Sequence, residues 1–567
     1  RDPPTLPPWV EWPDEPQALA IASGLSTKVA PNTRHQMLQL EDAPLFLKAE
    51  ETEVLALNKK NTFGDPIPQH ELPAGVKALG TRYVYTYKMK DGEEITKARL
   101  VAQGNYSKFG LDYSASHAET LNLTTLRMLV GYTAAEGGFH YRATDIRSAF
   151  VTAPAERTTY VRPAPGQPDV NEKGEKIVYP LKKALYGTVD ACRIFVRFLR
   201  KTLHKMGWES CVVDPCLYKK REGANICYCG WYVDDGLLVS NSLEYLEKQF
   251  QILTQEIDCT PLEPLHTMLG LKFTHEPENK QMKVGISDYV RQAAKDHLPP
   301  KHPTKKVPCT AKLLDLPKLD PKSEKDAKEI AEHQPAYRRV VGKMHWVCST
   351  VRVDCALSVS LLSRYLHCCG KDALSAAYDV LSYMNHTADL QLRLGGTASA
   401  EFQDLLPPCI KPTDQIIAFS DASWGSERPN VAAVLCEYGT PFYWHSKRDS
   451  KTGASSAEQE LSGVIKASME VMFAREVKAF LLGIDLKATS RATPVCSDNR
   501  AVCLLSDGDG TTKRMKHTVR ELAMLKELVD AKSILMCWLP TDKCLADCLT
   551  KPMTNIPFHS WRRLLVN

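Results

Sequence analysis

Apolar and polar positions along this chain follow two periods, and those periods divide it into strands and helices. Tyr83, Tyr85, Tyr87 and Met89 fall at every second position, Asp91-Gly92 supplies a turn and Ile95–Ala102 returns, which predicts a β-hairpin over 81–103. Lys97 and Arg99, at i and i+2 of the returning strand, share one face. The short apolar runs Ile226–Val233 and Gly236–Val239 enclose Asp234-Asp235 and predict a second hairpin. Asp-Asp is a poor strand interior, so both carboxylates are expected at its tip. Tyr141–Phe150 reads as a strand holding Asp145, a costly place for a carboxylate unless it is paired or metal-bound. Helical spacing marks about Ala43–Lys59, and 124–136 closed by Gly137-Gly138. It also marks a long segment opened by Lys182–Tyr186 and running to about Lys205, with Arg193, Arg197, Arg200 and Lys201 on one side. Leu243, Leu246, Phe250, Leu253 and Ile257 repeat at three and four after a cap at Asn241 or Ser242.

The second half changes character. Residues 297–330 are rich in Lys and Pro and read as a basic linker, helices are expected at about Ala336–Ser349, Ala356–Leu366 and Lys371–Asn385, and 394–413 lacks pattern. A second α/β unit then begins. It has a strand Ile416–Ser420 ending at Asp421, a hairpin Ala432–Ser446 turning at Gly439-Thr440, and a long helix Ser456–Leu482. Strand Pro494–Ser497 ends at Asp498, and helix Thr518–Lys532, strand Ile534–Leu539 and a short helix holding Asp547 close the unit. No solenoid-type repeat occurs.

A chain of 567 residues is too long for one core, so two to four domains are expected. A net charge of +5 permits a polyanionic partner without demanding one. No apolar run reaches the roughly 18 residues of a membrane-spanning helix, so no membrane partner is expected. The first residues, Arg-Asp-Pro-Pro-Thr-Leu-Pro-Pro, do not form a signal peptide; lacking an initiator Met, they read as the start of a processed piece or fragment. The 18 cysteines include no Cys-x-x-Cys pair, and the many in apolar patterns, such as Cys227, Cys229, Cys348, Cys436, Cys496 and Cys537, read as reduced core thiols of a cytosolic or nuclear protein. His367-Cys368-Cys369 and Cys544-x-x-x-Cys548 lack the second half of a zinc site.

Two sets of acids carry candidate chemistry. Asp145, Asp234 and Asp235 come from separate elements, as two-metal phosphoryl transfer requires, although spacing alone does not establish it. Asp421, Glu460, Asp498 and Asp547 lie on four elements, the disposition of a metal-dependent nuclease; scattered surface acids are the alternative that spacing leaves open.

Order decides between these readings. Tyr232-Val-Asp-Asp235, Lys97-Ala-Arg-Leu-Val-Ala-Gln-Gly104, Gly110-Leu-Asp-Tyr113, Asp145-Ile-x-x-Ala-Phe150, Leu181-Lys-Lys-Ala-Leu-Tyr-Gly187 and Leu269-Gly-Leu271 resemble the reverse transcriptase of copia-type (Pseudoviridae) long-terminal-repeat retrotransposon Pol polyproteins. Similarity continues through Tyr337-Arg-x-x-Val-Gly342 and Leu362-Ser-Arg-Tyr365. Ser420-Asp-Ala-Ser-Trp424, Ser455-Ser-Ala-Glu-Gln-Glu-Leu461, Ser497-Asp-Asn499 and Leu539-Pro-Thr-Asp-Lys-x-Leu-Ala-Asp-x-Leu-Thr-Lys-Pro552 resemble that family's ribonuclease H region.

The resemblance implies an α+β and α/β multidomain fold: a right-hand polymerase with fingers, ferredoxin-like palm and thumb, followed by a ribonuclease H-like α/β domain. The implied division is a Pro-rich tail over 1–43, fingers and palm over 44–290, thumb and connection over 291–395, a linker over 396–412 and the nuclease over 413–567. It implies that Asp145, Asp234 and Asp235 hold two Mg2+ ions, with Mn2+ as the substitute. Lys97 and Arg99 would take the incoming triphosphate, with Tyr186 in the same pocket, and Phe150 would block a ribose 2′-hydroxyl. Leu269-Gly270 would lie near the primer grip. Asp421, Glu460, Asp498 and Asp547 would hold two further ions for RNA cleavage, and His517 has an open role.

The implied partners are an RNA template, a DNA primer, an RNA–DNA hybrid and deoxynucleoside triphosphates, with the integrase and capsid parts of the same polyprotein alongside. The implied location is a cytoplasmic virus-like particle, with the nucleus as a second compartment. One departure bears on activity. The family's Leu-Lys-Gln-Ala-Pro is replaced by Thr188-Val-Asp-Ala-Cys192, so a Lys is lost and Asp190 is introduced where it could weaken nucleotide or template binding. The alternative is a decayed or co-opted copy that binds nucleic acid without catalysis.

Overall fold

The computed structural model describes residues 29–90, 93–107, 116–408, 410, 416–423, 429–450, 455–485, 491–506 and 518–567, leaving aside the side chains of Met89 and Lys90. The Asp91-Gly92 turn, Gly110–Tyr113, Trp424 and His517 therefore lie outside the described residues. The chain divides into two units, one of residues 1–121, 141–210 and 215–265, the other of residues 122–140, 211–214 and 266–567.

The Tyr alternation builds the first unit's outer core. Thr81–Lys90 and Glu93–Ala102 pair antiparallel, and Tyr83, Tyr85 and Tyr87 turn inward with Ala98, Leu100 and Ala102. Helix Ala43–Lys59 lies on this face, with Phe46 edge-on to Tyr85 and Tyr87 at centroid distances of 5.2 Å each. Its bounds coincide with those read from the sequence, because Pro44 favours a start and the apolar positions keep helical spacing. The hairpin's other face leaves Lys88, Lys97 and Arg99 partly exposed. A six-stranded sheet follows, in the order Glu263–Pro264, His140–Asp145, Asp235–Ser240, Asn225–Tyr232, Leu217–Glu222, Glu209–Ser210.

Two sequence expectations shift in this unit. The strand with Asp145 stops at Asp145, and Phe150 opens a short 3-10 turn, Phe150–Thr152. The helix expected from Lys182 begins only at Ala191. Gly187 has φ +83°, a left-handed conformation that breaks a helix, and its backbone is spent on a crossing contact instead. Ala102 N–H donates to the Tyr186 carbonyl at 2.7 Å and Gly104 N–H to the Gly187 carbonyl at 3.1 Å.

In the second unit, helix Leu123–Glu136 is buried over most of its length. A four-stranded sheet runs Thr267–Met268, Leu271–Glu276, Gln281–Gly285, Leu392–Gly395. Its first hairpin turns on Leu269-Gly270, with φ of +53° and +72°. Helix Glu324–Thr350 is twice the expected length, because it continues through Pro335, at which a sequence reading stops. Residues 394–413 contribute the end of strand Leu392–Gly395 and helix Ala400–Leu405, whose Phe402 is fully buried. Those pieces are too short to show a period.

A five-stranded sheet completes this unit in the order Thr440–Arg448, Asn430–Glu437, Ile417–Ala422, Thr493–Ser497, Ile534–Trp538. The first three strands are antiparallel; Thr493–Ser497 runs parallel to both its neighbours. Helix Ser456–Leu482 lies across the sheet, N-capped by Ser455 and ended by Gly483 at φ +69°. Gly463 permits the close approach: a Cβ there would stand 3.0 Å from the Ser420 hydroxyl. Arg127 is buried, and among the described residues no carboxylate pairs with it. It donates to the carbonyls of Phe442 at 2.7 Å and of Ser349, and its guanidinium stacks 4.1 Å over Trp444. Among the described residues, no helix is long and apolar enough to cross a membrane.

Candidate active sites

The first acidic cluster is set by strand pairing. Strand His140–Asp145 is hydrogen-bonded beside Asp235–Ser240, and Ile146 N–H donates to the Asp234 carbonyl at 2.9 Å. Segment 258–260 fixes the backbone of Asp145: Thr260 Oγ1 accepts its N–H at 2.9 Å, and its carbonyl accepts Thr260 N–H at 2.8 Å. Asp235 pairs with Tyr232 across the hairpin, so the turn is Val233-Asp234. Only Asp234 stands at the tip; Asp235 opens the returning strand. The pairing explains the difference, since a two-residue turn has no room for a third residue. Val233 takes φ +58°, a strained conformation for a β-branched residue.

These acids feel each other. Burial, then Asp234 and Asp145, push the Asp235 carboxyl up to about 7. Burial, then Asp234, push Asp145 up to about 6, opposed by Arg99, Lys88 and Lys97. Lys88 escapes the sequence reading, although hairpin register places it on the same face as Lys97 and Arg99. Burial, then repulsion from Arg99 and Lys88, lowers the Lys97 ammonium. Arg99 stacks 5.0 Å over the Tyr186 ring, and Phe150 lies 5.0 Å from Tyr186 and 6.1 Å from Phe195 by ring centroids. Lys97, Arg99, Phe150 and Tyr186 thus belong to the same unit as the acids, the two cations acting on Asp145 and the two rings packing beside Arg99.

Asp190 is not a free charge. It is 4% exposed and accepts from Arg157 Nε at 3.1 Å. Arg193 and Arg197 pair with Glu156 at 3.0 and 3.2 Å, and Arg200 pairs with Glu119.

The second cluster closes more tightly. Asp421 lies inside strand Ile417–Ala422 rather than past its end, and is fully buried. Glu460 comes from the first turns of helix Ser456–Leu482, Asp498 follows strand Thr493–Ser497, and Asp547 begins a 3-10 turn, Asp547–Leu549. Asp421, Glu460 and Asp498 each offer a carboxylate oxygen, all within 4.8 Å of one another. Among the described residues no other acid, His or Cys set converges so closely; the first cluster and both cysteine groups do not.

Burial, then Asp421 and Asp498, push Glu460 up to about 9, and burial raises Asp421 to about 6 against the pull of Lys551 and Thr550. Asp421 Oδ1 and Glu460 Oε2 are buried without a hydrogen-bond partner. Clustered, unsatisfied carboxylate oxygens fit a hard divalent cation. Lys551 stands 2.5 Å from Asp547 Oδ1 and 3.7 Å from Asp421 Oδ2, so Asp547 joins the cluster through this ammonium. Thr550 donates to Asp421, and Thr541 to Asp498 Oδ2 at 2.8 Å. Thr550 and Lys551 belong to the Leu-Thr-Lys-Pro stretch just after Asp547, where sequence reasoning found only the acid.

Residues 69–311 match the family described as reverse transcriptase (RNA-dependent DNA polymerase). The chain is 26% identical over 555 residues to the "Retrovirus-related Pol polyprotein from transposon RE2" of Arabidopsis thaliana, covering 96% of this chain and 35% of that protein. It is 22% identical over 506 residues to the "Transposon Ty1-BL Gag-Pol polyprotein" of Saccharomyces cerevisiae, covering 84% of this chain and 26% of that one. The chain thus spans about a quarter to a third of the length of such relatives. Among solved structures, LC11-RNase H1 in complex with RNA/DNA hybrid is similar at 15% identity and a TM-score of 0.20, covering 24% of this chain and 94% of that one. Residues 69–311 thus carry a reverse transcriptase family domain, and the chain is similar along nearly its whole length to part of the copia-type retrotransposon Pol polyproteins.

Proposed function

We propose that this segment synthesises DNA on RNA and DNA templates and cleaves the RNA strand of RNA–DNA hybrids. The observation that carries the reading is the presence of two separate carboxylate clusters, one in each unit, each with acids drawn from different elements. In this reading 44–290 form fingers and palm, 291–395 thumb and connection, and 413–567 the ribonuclease H-like domain.

Asp145, Asp234 and Asp235 would hold divalent cations in the first site, and Asp421, Glu460, Asp498 and Asp547 in the second. When bound, such ions neutralise charge on the reacting phosphate and lower the pKa of the attacking hydroxyl or water. The chain's own residues do the rest. Lys88, Lys97 and Arg99 face the triphosphate, and stacking on Tyr186 keeps the Arg99 guanidinium flat for bidentate contact. Phe150, backed by Tyr186 and Phe195, forms the wall against the sugar. In the second site Thr541 and Thr550 orient the Asp498 and Asp421 carboxylates, and Lys551 limits their mutual repulsion. Pairing of Asp190 with Arg157 favours activity over a decayed copy, because the substituted charge is matched within the protein. Association with integrase and capsid parts in a cytoplasmic particle belongs to the same proposal.

Template–primer extension and hybrid cleavage, each in Mg2+ and in Mn2+, test the reading. Asp234→Asn abolishes extension and leaves cleavage; Asp498→Asn does the reverse. Joint loss of both activities in either variant removes the two-site reading. Absence of both from the unaltered chain, with nucleic acid still bound, establishes the co-opted copy instead.

A further inference from the structure

Trp538 ends the edge strand of the five-stranded sheet and is 47% exposed, unusual for the largest apolar side chain. It is nonetheless held in place: its indole Nε1 donates to the carbonyl of Asp498 at 3.0 Å. The same Asp498 offers a carboxylate oxygen to the acidic cluster and accepts from Thr541. The ring therefore stands at the rim of the cluster, with its polar edge satisfied inward and apolar surface left to solvent. Nothing in the reaction's proton or charge balance uses an indole.

We infer that Trp538 is a substrate-positioning residue, a fixed aromatic platform on which the nucleic acid of the hybrid lies while its phosphate meets the acids. The inference rests on the nuclease reading above. Sugars and bases both present apolar faces to an aromatic ring, and such stacking tolerates any sequence, as cleavage of an arbitrary transcript requires. A ring already anchored loses little freedom on binding, so more of the contact energy appears as affinity.

Trp538→Ala and Trp538→Phe, measured in the full chain on an RNA–DNA hybrid, decide it. Far-ultraviolet circular dichroism and thermal melting of the same preparations confirm that each variant has folded. The alanine variant is expected to raise KM for the hybrid about tenfold with kcat nearly kept. The phenylalanine variant, which keeps a ring and loses the N–H, is expected to restore KM. An equal fall in kcat for both variants at unchanged KM would mean that the indole serves only to hold Asp498, and would overturn the platform. Hybrid affinity is also read in the Asp421→Asn background, which needs no turnover. If Trp538→Ala weakens binding there while the unaltered chain never cleaves, the platform stands and the nuclease reading falls. If cleavage is robust but affinity and KM ignore Trp538→Ala, the platform falls and the nuclease reading stands.

Discussion

Phe150 rests on Tyr186 and Phe195, so its ring has little freedom to yield to a larger sugar. Phe150→Val opens that wall, and discrimination against ribonucleotides is expected to fall at least about tenfold in single-nucleotide incorporation assays. Unchanged sugar selection would dismiss the residue as the filter. His445 makes a different kind of demand. Its Nδ1 meets the Tyr443 hydroxyl at 3.1 Å, its Nε2 is buried without a partner, and burial, then Lys447 and Lys466, push its pKa down to about 3. Unfolded, it takes up a proton near pH 6.5; folded, it resists until about pH 3. Its stabilising contribution is therefore complete above about pH 6.5 and is lost as pH falls, at up to about 1.4 kcal/mol for each pH unit. Urea midpoints for His445→Asn should fall less steeply with acidification than those of the unaltered chain. At this scale the candidate acids were legible from residue type and order, whereas Lys88, Lys551 and Trp538 were not. Each owes its place to a partner distant in sequence or across a sheet.

Elements with strong local signals were legible in full. Ser455 and Gly483 bracket the helix that carries Glu460, and Asp-Asp between apolar runs marks a hairpin whatever surrounds it. Elements that depend on distant contacts were not. Pro335 is carried inside helix Glu324–Thr350 by that helix's buried side, and Leu392–Gly395 becomes a strand only because Gln281–Gly285 pairs with it. The same dependence governs the crossing at Gly187. A Cβ there would stand 2.1 Å from the Ala102 carbonyl oxygen, and φ is already +83°. Gly187→Ala is expected to part the Tyr186 segment from strand Glu93–Ala102, displacing the ring beneath Arg99. Primer extension should fall at least about tenfold, mainly through KM for the nucleotide, while hybrid cleavage persists. Loss of both activities together would show that the joint holds up the whole fold rather than the pocket.

On the scale of the molecule, each cluster draws its acids from a single unit, and this is why Asp234→Asn and Asp498→Asn are expected to silence different activities. The order of motifs made both candidate acid sets legible in the sequence. The division into units was less so, because residues 122–140 and 211–214 leave the first unit's stretch of chain to join the second, a rearrangement no linear pattern announces. One turn links these scales. Val233 holds a left-handed backbone that glycine or asparagine would adopt with less strain, at a cost of about 1–3 kcal/mol. A library of this protein sorted only for survival on heating would accordingly drift toward Gly or Asn at 233, and would gather chains whose carboxylate tip moves more easily. Heat resistance and a fixed carboxylate tip would select in opposite directions there, so an engineer who stabilises this protein should leave that one position alone.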